Sequence, residues 1–336
     1  MKKLISYLLV VMLIPAFVLT GCKDDPAPVP AVGDFNTLST YMINQNLDLP
    51  ALLDGWVIDA KLNTLDGGIV DSADGYSIPD WTVFDIRSAA DFALGHIKGS
   101  VNVTLGNIIQ EANAINNNDT KILVVCYTGQ TAGRAVMALR LSGFPNAKVM
   151  KFGFSAWSNN ADFDKWSAKE SDQAVGNPNW VSTATPDLPT NAFPTWTTTS
   201  TDAATILDER VNEMLAKSGW GIDADVVLGA TTEYSIYNFW VMDDYTTFGH
   251  YAGAYQYKPI SLANDVVSAM NPENSNLIYC YTGQTSSFIV AWLHVLGYNS
   301  QSVKFGVNNL SYTALSAAGK PHWHFPYHEY EYVVSK

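Results

Sequence analysis

One cysteine-containing hexapeptide occurs twice in this chain, and that duplication constrains its fold more than any other feature. Cys126-Tyr127-Thr128-Gly129-Gln130-Thr131 recurs unchanged as Cys280-Tyr281-Thr282-Gly283-Gln284-Thr285. The likeness extends well beyond the loop. Gly95-His96 and Gly249-His250 precede the two cysteines at one common spacing, and Gly143 and Gly297 follow them at another. Further on, Lys151-Phe152-Gly153 is echoed by Lys304-Phe305-Gly306. Self-similarity of this extent marks a duplicated domain. At 336 residues the chain has room for two domains of ordinary size. Their expected extents are 34–172 and 201–336. The segment 173–200 between them, rich in Pro, Thr and Asn, reads as a linker or a strap packed on the surface.

Within each copy the pattern is α/β. Ile122-Leu123-Val124-Val125 is a short, wholly apolar run, as expected of a strand buried on both faces of a parallel sheet. Beyond the loop, Ala135, Val136, Ala138, Leu139 and Leu141 recur at helical spacing, and Gly143 is a natural stop. Lys148-Val149-Met150 then starts another strand. Each half should therefore be a mainly parallel sheet with helices on both faces. Its ligand site should lie at the carboxyl end of a strand.

That placement gives the cysteines a chemical role. A cysteine ending a strand just before a helix faces a ring of backbone N–H groups and the positive end of the helix dipole. Both favour a thiolate and predict a lowered pKa and a nucleophilic sulfur. Gly129 supplies the positive φ that so tight a loop requires. The candidate catalytic residues are Cys126 and Cys280. The candidate substrate-binding residues are the loops around them: Tyr127, Thr128, Gly129, Gln130, Thr131 and Ala132, and Tyr281, Thr282, Gly283, Gln284, Thr285 and Ser286. No metal or organic cofactor is needed for this chemistry.

The loops resemble the active-site loop of the rhodanese family, Cys-x-x-Gly-x-Arg or -Thr followed by Ser or Ala. Upstream, Asp85, Arg87, Gly95, His96, Ile97, Gly99 and Ser100 fall on that family's Asp-x-Arg and Gly-His-Ile-x-Gly-Ser pattern. The resemblance implies two rhodanese-like domains and a sulfurtransferase that moves sulfane sulfur through a cysteine persulfide. Donors would be persulfide, polysulfide or thiosulfate, and acceptors a thiol or cyanide. It also implies a scaffold role for His96 and His250, and an ion pair or turn anchor for Asp85 and Arg87. Two departures matter. Threonine (Thr131, Thr285) stands where many rhodaneses carry an arginine able to clamp a dianion bidentately. The Asp-x-Arg spacing is also lost around Asp243 in the second half. Arg134 stands near the first loop, either helping to neutralise an anion or as a solvated first-turn residue. A phosphatase-like Cys-x5-Arg reading would need arginine where Ala132 and Ser286 stand. A non-catalytic binding module is the alternative function.

The first residues read as an address. Lys2 and Lys3 precede an apolar run that ends in Leu19-Thr20-Gly21-Cys22, which resembles the lipobox of bacterial lipoproteins. Residues 1–21 would be the signal peptide, Cys22 the lipidated N-terminus and 22–33 a proline-rich tether. The expected location is the cell envelope, lipid-anchored, with Lys23 after the cysteine pointing to the outer membrane. A net charge of -13 argues against nucleic acid as a partner. With Cys22 acylated, two cysteines remain. Identical loops in separate domains rarely face each other, so no Cys126–Cys280 disulfide is expected. His322, His324 and His328 form a tail read as aromatic packing rather than a metal site.

Overall fold

Each half builds a five-stranded sheet around the strand that ends at its cysteine. The computed structural model describes residues 31–33 and 35–328, so the lipidation residue Cys22 and the segment 1–21 lie outside the described residues. The first sheet holds β1 (Val57–Ile58), β2 (Thr82–Asp85), β3 (Val101–Asn102), β4 (Ile122–Val125) and β5 (Lys148–Met150), in the order β1-β5-β4-β2-β3. The second holds β6 (Gly221–Ile222), β7 (Ser235–Asn238), β8 (Tyr255–Gln256), β9 (Asn276–Tyr279) and β10 (Ser300–Val303), in the order β6-β10-β9-β7-β8. The two orders correspond strand for strand. Every pairing within these sheets is parallel. The expected α/β class, mainly parallel sheets flanked by helices, is what the chain forms.

Burial on two faces explains why β4 reads as an unbroken apolar run. Ile122 and Val124 enter one core, while Leu123 and Val125 enter another on the opposite face. The inner core is shared between the halves. Helices α1 (Phe35–Asn44), α2 (Gln130–Leu141), α3 (Ala203–Ala216) and α4 (Gln284–Val295) all contribute to it, together with Val124 of one sheet and Ile278 of the other. Gly133 lets α2 and α4 meet closely, since a Cβ there would stand 3.3 Å from the Phe288 amide nitrogen. The outer core of each sheet belongs to its own half. From Ala31 onward the described residues form one compact unit.

The segment 173–200 lies along the second half as a strap. Trp180–Val181 pairs antiparallel with His250–Tyr251, and Trp196–Thr198 pairs with Ala31–Gly33 from the end of the expected tether. His250 is buried where this strap passes. Its Nδ1 lies 2.7 Å from the Val181 carbonyl and its Nε2 lies 3.0 Å from that of Thr183.

Candidate functional site

The Cys126 sulfur sits where β4 ends and α2 begins. Its Sγ accepts the amides of Gly129 at 3.1 Å and Ala132 at 3.4 Å, with only 3% of the residue exposed. Gly129, at φ +79°, makes the turn that brings these amides round. The second loop repeats the plan. Cys280 Sγ accepts the Ser286 amide at 3.4 Å, and its thiol donates to the Ser286 hydroxyl at 3.6 Å. That hydroxyl, absent at Ala132, also shares a hydrogen bond with Ser302 Oγ at 2.8 Å. Both thiols are free.

The electrostatic expectation needs correction at Cys126. Burial pushes its thiol above the ordinary value, while the amides of Ala132, Thr128, Gly129 and Thr131 pull the other way without cancelling that effect. Sequence spacing placed the amides correctly but carried no measure of how completely the loop is enclosed. The amides remain directed at the sulfur, so they offset part of the cost that burial imposes on an anion there.

Several expected loop residues have other tasks. Gln130 and Gln284 were expected to face substrate, but each side-chain oxygen accepts a backbone amide from the opposite half: Phe305 and Phe152 respectively. The loops therefore do approach one another, contrary to expectation, though their sulfurs stay unbridged. Gln130 and Gln284 also donate to Thr128 and Thr282 of their own loops, each at 3.2 Å. Tyr127 and Tyr281 donate their hydroxyls to Asp91 and Asp244. Thr131 and Thr285 are half-buried in the first helical turn. Arg134 is no anion clamp: its Nη2 caps α3 through the carbonyls of Met214 (2.8 Å) and Lys217 (2.9 Å). A cavity of about 320 Å3 opens beside the first loop, lined by Arg87, Leu94, Tyr127, Phe154, Phe163 and Lys165.

Asp85 and Arg87 form the internal ion pair that the resemblance implied. Arg87 Nη2 donates to Asp85 Oδ2 and to the Gly95 carbonyl, both at 2.7 Å, and its guanidinium lies 3.6 Å over the Phe154 ring. The second half has a counterpart that sequence reading missed. Asn238 ends β7 as Asp85 ends β2, and Asn238 Oδ1 accepts the Trp240 amide at 3.0 Å just as Asp85 Oδ1 accepts that of Arg87 at 3.0 Å. Trp240 then stacks on Tyr281, with centroids 4.8 Å apart. The signal was the strand end, not the acidic pair at Asp243 and Asp244.

His96 bonds the Phe92 carbonyl at 3.0 Å and stacks on the Phe92 ring, so both histidines of the repeated Gly-His pair serve the scaffold. In the tail, Trp323 is fully buried and packs with Phe152, Trp166 and Tyr327. Among the described residues no group of three or more His, Cys, Asp or Glu is placed to hold a metal.

The family described as the rhodanese-like domain matches residues 73–160, which hold the Asp85–Arg87 pair and the Cys126 loop. A thiosulfate sulfurtransferase of Shewanella oneidensis, GlpE, is 35% identical over 78 residues, 22% of this chain and 73% of that protein. A putative sulfur carrier protein of Bacillus subtilis, YrkF, is 26% identical over 80 residues, 24% of this chain and 43% of that protein. The chain spans about half the length of the Bacillus subtilis relatives it matches, 43% and 59%. A crystal structure of thiosulfate sulfurtransferase from Pseudomonas aeruginosa is 16% identical, covering 73% of this chain and 40% of that one, with a TM-score of 0.22.

Proposed function

From the premise that this chain belongs to the rhodanese-like family, we propose that it is a sulfurtransferase of the cell envelope with two sulfur-carrying loops, its second half being a diverged copy of the first. The observation that carries this reading is Cys126 Sγ held by the Gly129 and Ala132 amides at the head of α2, a plan repeated in part at Cys280, whose sulfur accepts the Ser286 amide. In the first half-reaction the cysteine thiolate attacks the sulfane sulfur of a donor R–S–S⁻. The S–S bond of the donor breaks, R–S⁻ leaves with its electron pair, and the cysteine becomes a persulfide anion facing the loop amides. In the second, an acceptor thiolate or cyanide attacks the outer sulfur and returns the cysteine thiolate, giving a new persulfide or thiocyanate. No net oxidation occurs.

Persulfide mapping tests this directly. After treatment of the reduced protein with polysulfide, one added sulfur is expected on each loop peptide, with Cys126→Ser removing the larger share of turnover. Loading of Cys126 should quicken as pH rises, because burial holds its thiol above the ordinary range. Thiosulfate should be poorer than a glutathione persulfide by roughly ten- to a hundredfold, since Thr131 and Thr285 supply no bidentate clamp for a dianion. Equal efficiency with the two donors would remove that argument. A folded, reduced protein that loads sulfur on neither loop from any donor would favour the second reading, a binding module, to which the burial of Cys126 lends some support.

The envelope assignment rests on Leu19-Thr20-Gly21-Cys22. With acylation at Cys22, the native chain partitions with membranes, by preference the outer one, and Cys22→Ser releases it or leaves it unprocessed. Recovery of native protein that is soluble and unlipidated would overturn that assignment.

A further inference from the structure

The repeated Lys-Phe-Gly turns supply no group to the proposed sulfur transfer, yet each one seats a cysteine loop. Phe154 N donates to the Cys126 carbonyl at 2.7 Å and Ser155 N to that of Tyr127 at 3.2 Å. In the second half, Val307 N donates to the Cys280 carbonyl at 3.2 Å and Asn308 N to that of Tyr281 at 2.9 Å. Both turns pass through left-handed backbone: φ is +60° at Phe152 and +59° at Phe305, and the glycine that follows is also positive. Phenylalanine holds that conformation only where its surroundings enforce it.

The enforcing group comes from the other half. Phe152 N donates to Gln284 Oε1 at 2.8 Å, and Phe305 N donates to Gln130 Oε1 at 3.0 Å. Both glutamines are buried, at 3% and 4% exposure. Trp166 sets its ring against both phenylalanines, with centroids 5.1 Å from Phe152 and 5.0 Å from Phe305. The loop glycines leave room for the crossing. A Cβ on Gly129 would stand 2.4 Å from Gln284 Oε1, and one on Gly283 would stand 2.7 Å from Gln130 Oε1. The opposite half thus places a demand on the glycine beyond its own positive φ, and on the glutamine, both kept in halves that have diverged at Asp85 and Asn238.

We infer that Gln130 and Gln284 are positioning residues that act across the molecule. Gln284 holds the turn that seats the Cys126 loop, and Gln130 holds the turn that seats the Cys280 loop. Neither sulfur site is complete without the other half. The claim about sulfur loading rests on the proposed carrier function; the claim about loop geometry does not.

Gln284→Met and Gln130→Met, made in the whole chain, remove the acceptor at nearly constant length. By hydrogen exchange, Gln284→Met should speed exchange of the Phe152–Ser155 amides about three- to tenfold and leave Phe305–Asn308 within about twofold. Gln130→Met should do the reverse. Under limiting polysulfide, the ratio of sulfur on Cys126 to sulfur on Cys280 should fall in the first variant and rise in the second. General loosening would move both loops together, and a local role would affect mainly the substituted loop; either pattern overturns the inference. If a methionine variant does not fold, Gln284→Asn and Gln130→Asn draw the amide back from the turn and must show the same crossed pattern. Crossed exchange without sulfur on either loop would leave the inference standing and end the carrier reading. Sulfur loading without crossing would do the opposite.

Discussion

Arg87→Met is expected to cost about 3–5 kcal/mol of stability, because it leaves the Asp85 carboxylate buried without its cation. Both side chains are 1% exposed, and Arg87 also satisfies the Gly95 carbonyl. The second half shows that the turn itself does not need the charges. Asn238 and Trp240 make the same side-chain-to-amide bond at the same strand end, with no ion pair. Exchanging a buried pair for uncharged groups is often close to neutral. Asp85→Asn combined with Arg87→Trp should therefore cost little beyond about 1–3 kcal/mol for fitting the larger ring, and so less than Arg87→Met alone. Chemical denaturation of the three proteins measures this non-additivity. A double variant at least as unstable as the single one would show that the pair holds the turn by more than mutual neutralisation.

The contrast between Asp85 and Asn238 also shows where sequence reading stops. The duplicated hexapeptide led directly to the two sheets, because β4 is a short apolar strand whose pattern survives in one dimension and the repeated loop marks its counterpart β9. The cysteines and their loop amides were legible for the same reason: strand, glycine and helix start are all local signals. What was not legible depends on contacts between distant residues. Gln130 reaches Phe305 and Gln284 reaches Phe152 across the shared core, so neither spacing nor residue type announced their partners. Arg134 looked available to an anion because its helix position was known and the C-terminus of α3 was not. The raised thiol of Cys126 likewise reflects enclosure by several segments, which a loop motif does not encode. Asn238 was obscured differently. The change from Asp-x-Arg to Asn-x-Trp kept the geometry and discarded the charges by which it was being sought.

Gly153→Ala should cost on the order of 3 kcal/mol or more and cut sulfur loading at Cys126 at least tenfold, while Cys280 keeps most of its own. Two effects combine at this position. The residue has φ +65°, and a Cβ there would stand 2.5 Å from the Cys126 carbonyl oxygen and 2.6 Å from the amide nitrogens of Gly129 and Thr128. These are backbone atoms of the sulfur loop, so no side chain can swing aside to make room. The turn must retreat, which breaks the bonds from Phe154 to Cys126 and from Ser155 to Tyr127 that hold the loop in place. Gly67→Ala separates strain from collision. Its φ of +68° is nearly the same, but nothing lies within 4 Å of the new Cβ, so only the backbone penalty of about 1–2 kcal/mol remains. Denaturation midpoints of the two variants give the stability difference, and persulfide mapping shows whether the damage is confined to the first loop. If Gly153→Ala is no worse than Gly67→Ala, the turn yields freely and the Cys126 loop does not depend on its close approach. If Cys280 fails together with Cys126, the collapse spreads through the shared core.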